Sequence, residues 1–250
     1  MELVVPGMPE QVWQAIATGP GYTAWFTPTT IDERVGGAIR FDMGAHGESK
    51  GEVTVWEPPT RFAYVERDWG EGAPPLATEI TVTARSGDRC VIRMVHSLFA
   101  STDDWDDQME GFESGWPAFF ELLRLYLSRF AGMKGATTLA MTSVEARHLD
   151  VWKRLTEGLG VAHVDVGEEW TTRAPEALAG VVERVDQGGR QRYVLARLTE
   201  PGPGLALITT YGIGRSTNVN VTLYLYGDDA ERRAAASGPV WQRWCRETFG

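Results

Sequence analysis

Gly51-Glu52-Val53-Thr54-Val55-Trp56-Glu57-Pro58-Pro59-Thr60-Arg61-Phe62-Ala63-Tyr64-Val65-Glu66-Arg67 decides the fold class. Val53 and Val55 alternate with polar residues up to Trp56, the period of a strand with one face buried. Pro58-Pro59 removes two backbone donors and ends that strand. Arg61–Arg67 reads as the next one. Two strands separated by so short a break run antiparallel, because a parallel pair needs a long crossover.

The same period extends on both sides. Downstream, Glu79–Ala84 and Cys90–Leu98 are two more strands, joined by the turn Ser86-Gly87-Asp88. Upstream, Ile31–Val35, Gly36-Gly37 and Ala38–Met43 read as a hairpin with a glycine turn. Before it, Pro9 opens a helix that carries Val12, Trp13 and Ile16. Gly19-Pro20-Gly21 stops that helix, and Tyr22–Phe26 forms one more helical turn. Residues 2–5 make a brief strand.

A long helix closes the unit. Thr102 is its expected N-cap, and Asp103, Asp104, Asp106 and Asp107 favour the positive helix start. Phe112, Trp116, Phe119, Phe120, Leu123, Tyr126, Leu127 and Phe130 form one wide aromatic stripe. Pro117 kinks this helix or marks its true start. The order is strand, helix, about six antiparallel strands and a long helix.

Gly132 to Gly135 reads as a linker, and a similar order follows it. Thr138–Met141 is a strand. His148, Trp152, Leu155 and Leu159 sit at helical spacing. Leu178–Val185, Tyr193–Leu198, Leu205–Tyr211 and Val219–Tyr226 are strands, and a last helix runs from about Asp229 to Phe249. Val12-Trp13-x-x-Ile16-x-x-Gly19-x-Gly21 matches Val151-Trp152-x-x-Leu155-x-x-Gly158-x-Gly160. Gly51-x-Val53 and Tyr64-Val65 match Gly180-x-Val182 and Tyr193-Val194. Ser114-Gly115 before Pro117 resembles Ser237-Gly238 before Pro239. Matches in one order at the same stations point to a tandem, divergent duplication; the competing reading is an unrelated α+β domain. The expected domains are therefore 1–131 and 136–250.

Composition bounds the function. Of 250 residues, 43% are hydrophobic and 23% charged, as in globular proteins. The net charge of −10 disfavours nucleic acid and anionic membrane surfaces, which recruit basic patches. Two distant cysteines, Cys90 and Cys245, imply a reducing, cytoplasmic compartment. No apolar run reaches the length of a signal peptide or of a membrane span.

Pro9-Glu10-Gln11-Val12-Trp13, Trp25-Phe26, Val35-Gly36-Gly37, Gly51-Glu52-Val53, Glu57-Pro58-Pro59-Thr60-Arg61-Phe62 and Gly115-Trp116 followed by Leu122 and Leu123 together resemble the activator-of-heat-shock-protein-90-ATPase-like family, within the START-like superfamily. The resemblance covers about half the chain. It implies an α+β helix-grip fold, a curved antiparallel sheet around a long C-terminal helix with a cavity between them. It does not imply a chaperone partner, because many bacterial members are not known to touch that chaperone. The second half lacks the double proline and the Gly-Gly hairpin.

Enzyme signatures are missing: there is no Gly-x-Ser-x-Gly, His-Glu-x-x-His, phosphate-binding loop or dinucleotide fingerprint. Gly212-x-Gly214 reads as a turn. The histidines at 46, 96, 148 and 163 are scattered, so no metal or cofactor is expected. Asp103 to Asp107 fails the spacing of a calcium loop. His96 is the one weak catalytic candidate; it is an acid or base facing the cavity, or a hydrogen-bonded strand-end histidine. Arg40, Glu52, Glu66, Glu79 and Arg93 lie on strands, and any that point inward need partners.

Trp25, Phe41, Trp56, Tyr64, Trp69, His96, Trp116, Phe119 and Phe120 are expected around the cavity. They line a pocket for an apolar or aromatic small molecule, or they fill a core. The first expectation is non-catalytic binding of such a molecule. Two alternatives stand beside it: a protein-interaction or co-chaperone-like module, and a cyclase- or hydrolase-like enzyme using His96.

Overall fold

The structure is a computed structural model. It describes residues 1–44, 47–67, 72–99, 106–189, 191–213 and 215–250, with backbone alone at 106–114 and 213. Trp69, His46, Thr102, Asp103, Asp104 and Gly214 lie outside the described residues. The side chains of Asp106, Asp107 and Phe112 are likewise not described. The chain divides into two compact units, Met1–Met133 and Lys134–Gly250.

The first unit runs β1 (Glu2–Pro6), α1 (Pro9–Ala17), α2 (Gly19–Thr23), β2 (Thr29–Ile31), β3 (Ala38–Asp42), β4 (Glu48–Glu57), β5 (Arg61–Glu66), β6 (Leu76–Arg85), β7 (Arg89–Leu98) and α3 (Asp106–Arg129). Its seven strands form one antiparallel sheet in the order β1-β7-β6-β5-β4-β3-β2. The second unit runs β8 (Gly135–Val144), α4 (His148–Leu159), β9 (Glu169–Thr172), β10 (Leu178–Asp186), β11 (Gln191–Glu200), β12 (Gly204–Ile213), β13 (Ser216–Tyr226) and α5 (Ala230–Phe249). Its sheet is β8-β13-β12-β11-β10-β9. This is the first topology without α2 and β2. In each unit the long last helix packs along the first strand, α3 on β1 and α5 on β8. The architecture is two helix-grip units in tandem.

Local sequence explains most elements. Val12, Trp13 and Ile16 are the buried stripe of α1, as Val151, Trp152 and Leu155 are of α4. The first helix stops before Gly19-Pro20-Gly21 as expected, but the further helical turn begins at Gly19 rather than at Tyr22, so the triplet itself opens α2. The Thr18 hydroxyl accepts from the Gly21 amide and caps the new helix, and Pro20 sits where a missing donor costs nothing. Residues 32–35 are loop rather than strand, because the Arg34 amide bonds the Asp32 carbonyl and the Gly37 amide the Arg34 carbonyl, which turns the chain just past the last β2–β3 pairing. Neither Pro117 nor Pro239 ends its helix: α3 and α5 run through them.

The sequence matches between the halves divide in two. Gly51 and Gly180 are equivalent: a Cβ on Gly51 would lie 2.6 Å from the Val65 carbonyl oxygen, and one on Gly180 2.3 Å from that of Arg197. A β-bulge follows each, between Val53 and Val55 and between Val182 and Arg184. The turn before them is also shared. Val53 exchanges backbone bonds with Gly36 and Gly37, and Val182 does so with Gly167 and Glu168. The glycine-turn station that the second half lacks by motif is thus present with one glycine, Gly167 at φ +92°. By contrast, Gly19 and Gly21 lie in α2, whereas Gly158 lies inside α4 and Gly160 is its left-handed C-cap. Tyr64 pairs with Val53 but Tyr193 pairs with Asp186, so those tyrosines occupy different register positions.

Candidate functional site

Alternation along the first sheet sends Ile39 and Phe41 (β3), Ser49 and Val53 (β4), Phe62, Tyr64 and Glu66 (β5), Leu76, Thr78, Ile80 and Val82 (β6), and Ile92 and Met94 (β7) to the buried face. His96, half-buried, continues the β7 series. The bulge decides the place of Trp56. Strict alternation from Val53 would turn it to the other face, but the extra residue brings it opposite Phe62. There it meets Trp13 edge-on at 5.1 Å and Phe62 at 5.6 Å between ring centroids.

Aromatic rings form one connected network on this face. Tyr22, Trp25, Phe41, Trp116 and Phe119 all touch Phe26, which stacks on Trp116 at 5.4 Å and meets Phe119 at 4.7 Å. Phe41 leads to Tyr64, and Tyr64 to Phe62. Trp116 also meets Phe120 and stacks on the His96 ring at 5.3 Å. Phe26, Phe119 and His96 are half-buried, so solvent reaches the network at their side. Trp25 is enclosed, and its indole nitrogen donates to the Ala15 carbonyl at 2.9 Å, which ties the loop after α2 to α1. Each of the eight described candidates therefore joins one aromatic cluster, Trp56 at its far end beside α1. Phe26, the hub, is not among the sequence candidates, which include its neighbour Trp25.

A polar row crosses this face from β4 to β7. Ser49 donates to Oε1 of Glu66. The Thr78 hydroxyl lies 3.0 Å from Nδ1 of His96. The hydroxyls of Tyr22 and Tyr64 lie close enough to Glu66 to feel its charge. Burial pushes the Glu66 carboxyl up to about 7, against a partial counter-effect of the Ser49 hydroxyl. Burial also holds the His96 imidazole down at about 4, helped by the nearby N-terminal ammonium. Both tyrosines are raised by desolvation. Of the five charged strand residues, Arg40, Glu52 and Arg93 are exposed, and Glu79 forms a 2.7 Å ion pair with Arg61. Only Glu66 enters the interior.

The second unit has no such row. Gly51 pairs with Glu66 and Gly180 with Leu198, Val53 with Tyr64 and Val182 with Ala196. Tyr64 pairs with Thr78 and Ala196 with Ala206; Thr78 pairs with His96 and Ala206 with Leu223. The row Glu66, Tyr64, Thr78, His96 thus becomes Leu198, Ala196, Ala206, Leu223. These join Val194, Ile208, Val221, Trp152, Leu155 and Trp241 in one continuous apolar core. Among the described residues, no group of His, Cys, Asp or Glu is placed to hold a metal, and no helix is long and apolar enough to cross a membrane.

A model of the family described as activator of Hsp90 ATPase homolog 1-like protein matches residues 7–128. The solved structures similar to this chain include three of note. The Aha1 dimer from Colwellia psychrerythraea is 21% identical, covers 52% of this chain and 94% of that one, and has a TM-score of 0.45. CalU16 from Micromonospora echinospora is 20% identical over 51% of this chain and 74% of its own, with a TM-score of 0.42. DynU16, a protein of the dynemicin biosynthetic locus, is 15% identical over 99% of this chain and 96% of its own, with a TM-score of 0.44. No curated protein matches the sequence.

Proposed function

The first unit belongs to the activator of Hsp90 ATPase homolog 1-like family, and from that premise we propose that it binds an apolar or aromatic small molecule between its sheet and α3, without catalysing a reaction on it. The family supports a ligand-binding or co-chaperone-like module. What favours the ligand is the polar row on the first sheet. Burying such groups costs free energy unless something pairs with them, and the second unit builds the same topology with aliphatic residues at every one of those positions. The row is therefore not needed to make the fold, and it is the kind of feature that orients a ligand in an apolar pocket. Trp25, Phe41, Trp56, Tyr64, Trp116, Phe119 and Phe120, with Phe26, are the proposed aromatic lining, and His96 its polar edge.

His96 suits this role better than acid–base chemistry. An imidazole held near 4 is neutral at physiological pH, and its Nδ1 faces the neutral Thr78 hydroxyl. Native mass spectrometry of the purified chain is the test, alongside titration with 1-methylnaphthalene followed by tryptophan fluorescence. A retained small molecule, or saturable quenching that Phe26→Ala weakens, is expected. No retained mass together with no saturable change overturns the reading.

A further inference from the structure

We infer that the ligand of the first unit carries an ammonium group, held at Glu66 beside the aromatic faces of Phe41 and Tyr64. This rests on the ligand-binding reading above and adds the chemistry of the head group.

Three observations meet at this point. First, Glu66 is 8% exposed, the one carboxylate in a polar row of Ser49, Thr78 and His96 that is surrounded by rings and aliphatic side chains. Ser49 bonds one carboxyl oxygen. Among the described residues no Lys or Arg pairs with the carboxylate: Arg61 serves Glu79 and Glu57, and Lys50 serves Glu48. A buried carboxylate without a counter-charge is costly, and a cation from outside removes that cost.

Second, the Tyr22 hydroxyl is fully buried beside the Tyr64 hydroxyl, and among the described residues it makes no hydrogen bond of ordinary length and angle, although buried polar groups are almost always well bonded. It lies close enough to Glu66 to feel its charge. An ammonium has several N–H donors, and here it meets a carboxylate oxygen and a phenol oxygen together. Third, Phe41 pairs with Ser49 across the strands and carries Tyr22 and Tyr64 at ring distances of 5.5 Å each. Ring faces attract a cation and leave a neutral group almost indifferent. An anion is repelled by Glu66, and a pure hydrocarbon supplies no counter-charge to its carboxylate. In the second unit Leu198 occupies the register position of Glu66, so the carboxyl is not there to make the fold.

The test compares three probes of one shape on the full chain at pH 8: 1-naphthylmethylamine, 1-naphthalenemethanol and 1-methylnaphthalene. The amine is expected to bind about tenfold tighter than the hydrocarbon, with the alcohol between. Glu66→Gln should erase the lead of the amine and leave the hydrocarbon affinity within about twofold. Should that variant fold poorly by circular dichroism, Glu66→Leu installs the side chain that the second unit already carries there. An amine that binds no tighter than the alcohol, or a lead that survives loss of the carboxyl, overturns the inference while hydrocarbon binding keeps the ligand reading intact. If none of the three probes binds, both fall.

Discussion

The two units share a frame and differ on one face. Gly51 and Gly180 let neighbouring backbones approach, a bulge follows each, and an exposed valine leads into each preceding turn. Where the first unit then places Glu66, Tyr64, Thr78 and His96, the second places Leu198, Ala196, Ala206 and Leu223. The difference separates what the fold needs from what it tolerates: the aliphatic version is an ordinary close-packed core, and the polar version keeps groups that weaken the core. Proteins accept that weakening where a site requires it.

The strongest way to break this comparison is to write the first unit into the second. Leu198→Glu buries a carboxyl among aliphatic side chains and should cost about 4 kcal/mol by urea denaturation. A cost under about 1 kcal/mol would mean the second core has room for a polar group after all. The shared frame is tested next. Gly51→Val and Gly180→Val each drive a side chain into a partner-strand carbonyl and should each cost about 3 kcal/mol; a much smaller cost at one site would show that the frames are not equivalent there.

The reverse exchange, Glu66→Leu, should stabilise the chain at pH 8 by up to about 3 kcal/mol. The sign follows from the carboxyl, whose folded value of about 7 lies above its ordinary 4.5. The folded chain holds that proton longer. Its contribution is complete below pH 4.5 and is lost as pH rises through 7. His96 works in the opposite sense, with a folded value of about 4 below its ordinary 6.5. Its contribution is complete above pH 6.5 and is lost as pH falls through 4. Between pH 4.5 and 6.5 the two slopes oppose each other. Relative to the parent, Glu66→Leu should therefore gain stability with rising pH, and His96→Leu should lose it, each by about 1.4 kcal/mol per pH unit. Parallel stability curves for either variant and the parent would remove that group from the balance. The smallest effect belongs to the two matched valines, Val35 at 60% and Val166 at 61% exposure. Either valine changed to serine should stay within about 0.5 kcal/mol of the parent in the same urea assay.

Much of the frame was legible. Alternation at Val53 and Val55, the proline break at Pro58-Pro59 and the helical spacing of Val12, Trp13 and Ile16 are local signals, and local signals survive in a single sequence. Glycine was harder to read. Gly19 and Gly21 do stop α1, yet they also build α2 once Thr18 supplies a cap; a glycine pair permits that second outcome, and the side-chain bond decides it. The aromatic candidates were readable as a class. Their hub, Phe26, was not, because contact between α3 and the loop after α2 joins residues ninety positions apart in the chain.

What the sequence alone determined is the order of elements, the periodicity of each, and the repetition of that order in two halves. Period, punctuation and spacing suffice for that. Tertiary structure alone decided which side chains stand in one row. A bulge of one residue brought Trp56 to the aromatic face, and strand register made Glu66, among five strand charges, the one carried inward. Register is a property of two paired strands and the turn between them, so it is settled when the sheet closes.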